Sequence, residues 1–226
     1  MKKLVITILI FIWAGSAEAG TPWVSVSGGQ STFGLGEVTD AQTTYRGYSI
    51  EQGSMDSGRL FGAAFGVDLS RPWSIGVSYD HSDVSTTGTL EDIRLNISMP
   101  LQSIKVVPYW YPVRGEGLRV GIGAGIGLGF VKGSAVADGG MYDGQKGEVG
   151  GTDLLLEGRA LVEYRPLANL AIQATGGIRD ITFEEVVWGY STISRDDTGD
   201  PVSFDYGGWF VQLGLKFLLP NSSVGL

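Results

Sequence analysis

The sequence predicts an all-β chain, an antiparallel up-and-down β-barrel of eight strands that crosses a membrane. Three observations carry this: one very long alternating strand, an export signal at the N-terminus, and connections that alternate between long and short. The strand is the strongest. From Leu118 to Phe130 every second residue is apolar (Leu118, Val120, Ile122, Ala124, Ile126, Leu128, Phe130), and the residues between are Arg119 and five glycines. A period of two places one set on each face of a β-strand. Soluble strands average about five or six residues, whereas a strand crossing a bilayer at a tilt needs roughly 9–11. Only a closed barrel can hold such strands in lipid, because an open edge leaves backbone groups unpaired in hydrocarbon.

The N-terminus has the layout of a secretory signal. Lys2 and Lys3 form a positive region, Leu4 to Trp13 an apolar core of ten residues, and Ala17-Glu18-Ala19 a small-residue cleavage site. Residues 1–19 therefore read as a signal peptide and residues 20–226 as one barrel domain. Ten apolar residues fall short of the roughly twenty of a transmembrane helix, and no other run approaches that length. The chain has no cysteine, so it has neither a site for lipoprotein acylation nor a disulfide framework. Glycine supplies 36 of 226 residues, about twice the usual share. The formal charge is −8. Without the signal's two lysines and one glutamate, 14 basic and 23 acidic residues remain. With no basic patch, nucleic acid is not an expected partner.

The strands follow in order. The first lies near Trp23–Phe33, before a long polar segment from Gly34 to Ser57. The second is Arg59–Leu69, with Phe61, Ala63, Phe65, Val67 and Leu69 on one face. Ser70-Arg71-Pro72 turns into the third, Trp73–Asp83, where Ile75, Val77 and Tyr79 alternate with small or polar residues. The fourth, Gln102–Val113, turns at Arg114-Gly115-Glu116-Gly117 into the fifth, Leu118–Val131. A Gly-rich segment from Gly133 to Gly151 precedes the sixth, Asp153–Tyr164. Pro166-Leu167-Ala168-Asn169 turns into the seventh, Leu170–Ile181. The polar segment Glu184 to Asp205 leads to the eighth, Tyr206–Leu219.

Outer-membrane barrels have short periplasmic turns and long extracellular loops, and this alternation fits with both termini periplasmic. Ile93 to Met99 also alternates strictly. It reads as strand four extended beyond the membrane or as ordered loop, with a ten-stranded barrel as the alternative. Aromatics place Trp23, Trp73, Trp110, Tyr111, Tyr164 and Phe217 at the periplasmic ends and Phe33, Phe130, Phe183 and Trp209 toward the others. Two such interfacial belts are what a bilayer selects. A soluble β-sandwich would instead place rings mid-strand.

With these features the chain resembles the small eight-stranded outer-membrane barrels of the OmpA/OmpX type. The most specific element is the last strand, Gln212-Leu213-Gly214-Leu215-Lys216-Phe217-Leu218-Leu219, whose Gln212, Gly214, Phe217 and Leu219 look like that family's C-terminal assembly signal. A tail, Pro220 to Leu226, follows where such chains commonly stop at an aromatic. The resemblance implies a monomer in the cell outer membrane, in contact with outer-membrane lipid and lipopolysaccharide and inserted by the barrel-assembly machinery.

Strand parity points Asp68, Asp80, Glu157 and Glu163 into the lumen, with Lys105, Arg119, Arg159, Arg179 and Lys216 as cations. An eight-stranded barrel is just wide enough for its side chains to fill, and an unpaired buried charge costs several kcal/mol. The expected lumen is thus plugged by a charge network, with Glu163 facing Arg119 and Glu157 facing Arg179. Inward glycines of strand five would leave room for Glu157, Arg159 and Glu163. The function expected is structural or surface interaction, without catalytic residues, metal or cofactor.

A narrow small-solute channel is the second expectation and a lipid A-modifying enzyme the third. For the enzyme, His81 in Asp80-His81-Ser82-Asp83 is the sole histidine. Ser82 points the opposite way along the strand, and Ser85 sits about 13 Å farther along at roughly 3.3 Å per residue. Asp196-Asp197-Thr198-Gly199-Asp200 lacks the alternating ligand spacing of a calcium loop, so the acidic last loop reads as solvated charge. Gly121-Ile122-Gly123-Ala124-Gly125 has no helix after it and is no phosphate cradle.

Overall fold

The computed structural model describes residues 20–33, 51–52, 57–69, 72–90, 93–115, 117–138, 146–183, 187–188, 191–192 and 204–219. Eight strands form the barrel: β1 (Thr21–Thr32), β2 (Ser57–Asp68), β3 (Trp73–Asp83), β4 (Leu101–Arg114), β5 (Leu118–Asp138), β6 (Lys146–Leu167), β7 (Leu170–Asp180) and β8 (Gly208–Leu218). Each pairs antiparallel with its sequence neighbours, and β8 closes on β1 through Trp23↔Leu218 to Ser31↔Phe210. The architecture is an eight-stranded all-β barrel, not a sandwich and not a ten-stranded variant. The expected signal peptide (1–19), most of the first and last long segments, Asp196–Asp200 and the tail from Pro220 lie outside the described residues.

Alternation fixes the two faces. Along β5, Ile122, Ala124, Ile126 and Leu128 are exposed while Gly121, Gly125 and Gly129 are buried. Val24, Val26, Ile104, Val106, Leu154, Leu156, Val211, Leu213 and Leu215 also face outward. In water such a surface would be an enormous exposed apolar patch; in a bilayer it is the expected outward band. Trp73 and Trp110 sit side by side as register partners at one rim, with Tyr164 and Phe217 exposed near the same end. Trp209 is exposed toward the other end.

Four belt assignments are overturned. Trp23 and Tyr111 are buried inside the barrel at 4% and 2% exposure. Trp23 shares its face with Ser25 and Ser27, and Tyr111 shares its face with Lys105 and Tyr109, so both rings obey the inward parity of their strands. Phe33 and Phe183 likewise turn inward.

The Gly-rich segment 133–151 is not a loop over most of its length. β5 and β6 stay paired from Leu118↔Tyr164 out to Val136↔Lys146. Those strands run 21 and 22 residues, far beyond the roughly 9–11 that a membrane needs. Ile93–Ser98 pairs with the β5 extension from Ser98↔Ser134 to Arg94↔Asp138, continuing the line of β4. Pro100, which has no N–H to give to a ladder, stands at the break between Ile93–Ser98 and β4. Ser85–Leu90 adds to Ile93–Ser98 as a hairpin, Glu51–Gln52 adds to that, and Val187–Trp188 borders β6 on the other side. A twisted sheet thus rises from one side of the barrel on its long-loop end. The opposite end closes by short turns, with Gly115 N–H donating to Leu118 O at 2.7 Å and Leu69 N–H to Trp73 O at 3.0 Å.

Candidate functional site

The lumen holds the buried polar groups, in layers. At the short-turn end, Glu163 is fully buried and accepts from the Tyr111 hydroxyl at 2.7 Å, from Lys216 Nζ at 2.9 Å and from Gln173 Nε2 at 2.9 Å. Asp68 accepts from Arg119 at 2.6 Å, Arg165 at 3.1 Å and Lys216 at 3.2 Å. Arg119 and Arg165 stand 3.7 and 3.6 Å from Glu163. The Arg119 guanidinium lies over the Tyr111 ring at 3.8 Å and Lys216 Nζ over the Trp23 ring at 4.5 Å. Cation–π contacts of this kind strengthen when desolvated. The Trp23 indole N–H donates to Ser74 Oγ at 3.1 Å, which meets the need of a buried indole for a partner.

Higher in the barrel, the Lys105 side chain is fully buried and its ammonium donates to both Asp80 and Glu157. Arg159 binds Glu157 and the Tyr109 hydroxyl, the latter at 3.1 Å. Gln212 Nε2 reaches Asp80 at 3.4 Å. Charge-assisted bonds are about twice as strong as neutral ones, and in a water-poor barrel they rigidify the strands that carry them.

The structure brings eight of the nine expected lumen charges into contact with opposite charge, but it changes the pairing. Arg119 does face Glu163, with its shorter contact to Asp68. Glu157 is taken by Lys105 and Arg159, not by Arg179. Among the described residues no carboxylate lies within 4.0 Å of Arg179, whose Nη2 approaches Ser82 Oγ at 3.5 Å. The glycine track serves different neighbours too. An added Cβ at Gly121 would meet the Tyr111 ring at 2.9 Å, and one at Gly123 the Tyr109 ring at 2.9 Å. Only Gly125 lies against Glu157, at 3.4 Å from its Cβ. Gly121 and Gly123 of β5 thus make room for tyrosines of β4, while Gly127 lies against the Ile104–Lys105 backbone and Gly129 against Ile181.

Tyr109, Tyr111, Trp23, Arg165, Gln173 and Gln212 were not assigned to the network from sequence. The parity that placed Lys105 and Glu163 inside also places Tyr109, Tyr111, Gln173 and Arg165 there, so that signal was present. Gln212 and Gly214 of the expected assembly signal face the lumen, whereas Phe217 and Leu219 are exposed.

An apolar cap covers the charges at the long-loop end. Phe33, Val84, Met99, Leu101, Val131, Leu155, Ile181, Phe183 and Tyr206 form one buried cluster. Tyr206 packs edge-on against Phe33 and Phe183 with centroids 5.6 and 5.4 Å apart. Its hydroxyl donates to Met99 O at 3.2 Å, and Met99 N–H donates to Val84 O at 2.8 Å. Below the cap lies a cavity of about 30 Å³, room for about two waters.

His81 lies on the outer face of β3, its Nε2 2.8 Å from Asp83 Oδ1. Ser82 faces the lumen, where Ser31 Oγ donates to Ser82 Oγ at 3.4 Å. The histidine and this hydroxyl are therefore on opposite sides of the barrel wall.

No protein-family model matches the chain, and no curated protein matches it. Solved structures do. Neisserial surface protein A superposes with a TM-score of 0.54 at 12% identity, over 88% of this chain and 97% of that one. Ail, the attachment invasion locus protein of Yersinia pestis, superposes at 0.51 and 15% identity, over 88% and 99%. OprG from Pseudomonas aeruginosa superposes at 0.50 and 13% identity, over 89% and 96%. The fold is that of the small eight-stranded outer-membrane β-barrels.

Proposed function

We propose that this chain is a monomeric outer-membrane barrel with a sealed lumen, whose role is structural or in surface interaction through the sheet and loops at its long-loop end. The observation that carries the reading is the filling of the lumen. Two charge layers tie β2, β3, β4, β5, β6 and β8 together, an apolar cap sits above them, and the space between is of water size. A conducting barrel keeps a polar, water-filled channel. Here eight of the nine charged side chains expected in the lumen are engaged with one another. The apolar outer band between aromatic rims supports contact with outer-membrane lipid and lipopolysaccharide, and the β5–β6 extension with its added strands offers the accessible surface. No metal or cofactor enters this reading.

Planar-bilayer recording of the purified protein tests it. The expected result is no sustained current above that of the bare bilayer. Steady, ion-selective steps would favour the narrow channel instead, for which the Ser25, Ser27 and Ser78 side of the cavity would be the wall. A lipid A-modifying role has less support, since His81 pairs with Asp83 outside the barrel and Ser82 bonds Ser31 within it. Loss of acyl chains from lipid A on incubation with this protein, abolished by His81→Ala, would overturn the non-catalytic reading.

A further inference from the structure

We infer that the lumen cavity is an anion site that takes a small inorganic ion of chloride size. The inference rests on the sealed-lumen reading for the low dielectric around the site. Beneath the cap, Asp80 and Glu157 face three cations, Lys105, Arg159 and Arg179. The first two cations contact those carboxylates, and Arg179 contacts neither. Arg179 is 4% exposed, its Nε has no hydrogen-bond partner among the described residues, and Phe33 covers it at 5.1 Å from the ring centroid. Toward the short turns, Asp68 and Glu163 again face three cations, Arg119, Arg165 and Lys216. Among the described residues each layer counts three cations against two carboxylates; Arg165 keeps about a quarter of its side chain exposed at the rim, so the buried excess is at Arg179. Buried charge left without a counter-charge is strongly unfavourable, so an ion from solution has a place to fill.

The cavity between the layers, which Arg179 itself does not line, is where such an ion would sit, acting on Arg179 through the low-dielectric interior. Arg159 and Lys216 line it with the hydroxyls of Ser25, Ser27, Ser78 and Thr175, and Asp80 is its one carboxylate. Ser78 is 4% exposed and its Oγ has no hydrogen-bond partner. Hydroxyls can turn their O–H toward an anion at no cost in position. At about 30 Å³ the space is on the scale of a small inorganic ion.

Diffraction from bromide-soaked crystals locates the ion, and melting temperature in chloride against gluconate at matched ionic strength measures its effect. The expected result is an anomalous peak in the cavity beside Ser78, Arg159 and Lys216, together with a higher melting temperature in chloride. Arg179→Met removes the excess cation of the upper layer, and it should fold and show a smaller chloride response than wild type. Absence of a peak in the cavity, or a chloride response equal in wild type and Arg179→Met, overturns the inference. A sustained current through the wild-type barrel would refute the sealed lumen and leave the anion measurements to stand or fall separately.

Discussion

Lys105→Met is the sharpest single test of the charge network. The ammonium is fully buried and donates to Asp80 and Glu157 at once, and methionine keeps a similar volume while deleting both bonds. Bonds to charged groups contribute about 1.5–3 kcal/mol each, and breaking a buried ion pair from one side costs about 3–5 kcal/mol. Some compensation remains. Glu157 keeps Arg159, and Asp80 keeps Gln212 at 3.4 Å and Arg159 at 3.9 Å. The expected loss is therefore at the lower end, about 3 kcal/mol. Urea unfolding in lipid vesicles, followed by tryptophan fluorescence, reads it. The double variant Lys105→Met/Asp80→Asn should recover about 0.5–3 kcal/mol relative to additivity, as coupled neighbours do. A single-variant loss below about 1 kcal/mol, the level of an exposed pair, would refute a desolvated network.

Other expectations follow from the faces of the wall. Ile126→Arg, on the lipid side, should cost about 2–4 kcal/mol if mid-membrane, and a thinner bilayer should relieve it. Gly125→Arg should fail to assemble in any bilayer, because an added Cβ would already touch Glu157 Cβ and Val107 Cγ2 at 3.4 Å and leave no room for the rest of the side chain; equal behaviour of the two variants in vesicle unfolding would put the parity in error. Gly121→Val should cost about 1–3 kcal/mol by overpacking, since its Cβ would meet the Tyr111 ring at 2.9 Å and Trp110 O at 3.2 Å. Wild-type stability in urea for that variant would refute the account of the glycine track. Protease added to intact cells should cut within 34–57 or 184–205 and spare 114–117 and 166–169; the reverse pattern would invert the topology.

Much of the wall was legible because a strand has only two faces. Alternation alone places Lys105, Glu157, Arg159, Glu163 and Lys216 inside, and Ile126 and Val211 outside. Where the expectation failed, it had set parity aside. Trp23 and Tyr111 were assigned to a lipid belt because they are aromatic and lie at strand ends, yet each shares a face with lumen residues. The segment 133–151 was read as loop from its glycines and polar residues, which is the usual composition of turns. It pairs because β5 and β6 are joined by a hairpin, and continuing a ladder satisfies backbone groups that a loop would leave to water.

The sequence by itself determined that strands of this length and alternation must close into a barrel, and which residues face in. Only the tertiary structure decided which charge meets which. Register and closure bring Lys105 to Glu157 across 52 positions and Arg165 to Asp68 across 97, and they leave Arg179 without a carboxylate. The same is true of the cap. Phe33 and Met99 stand at the bases of two connections and Phe183 and Tyr206 at the two ends of a third, and a single strand's pattern says nothing about contacts made across the bore. Facing is a local property of the backbone, whereas partnership depends on strand stagger, which is set when the last strand pairs with the first.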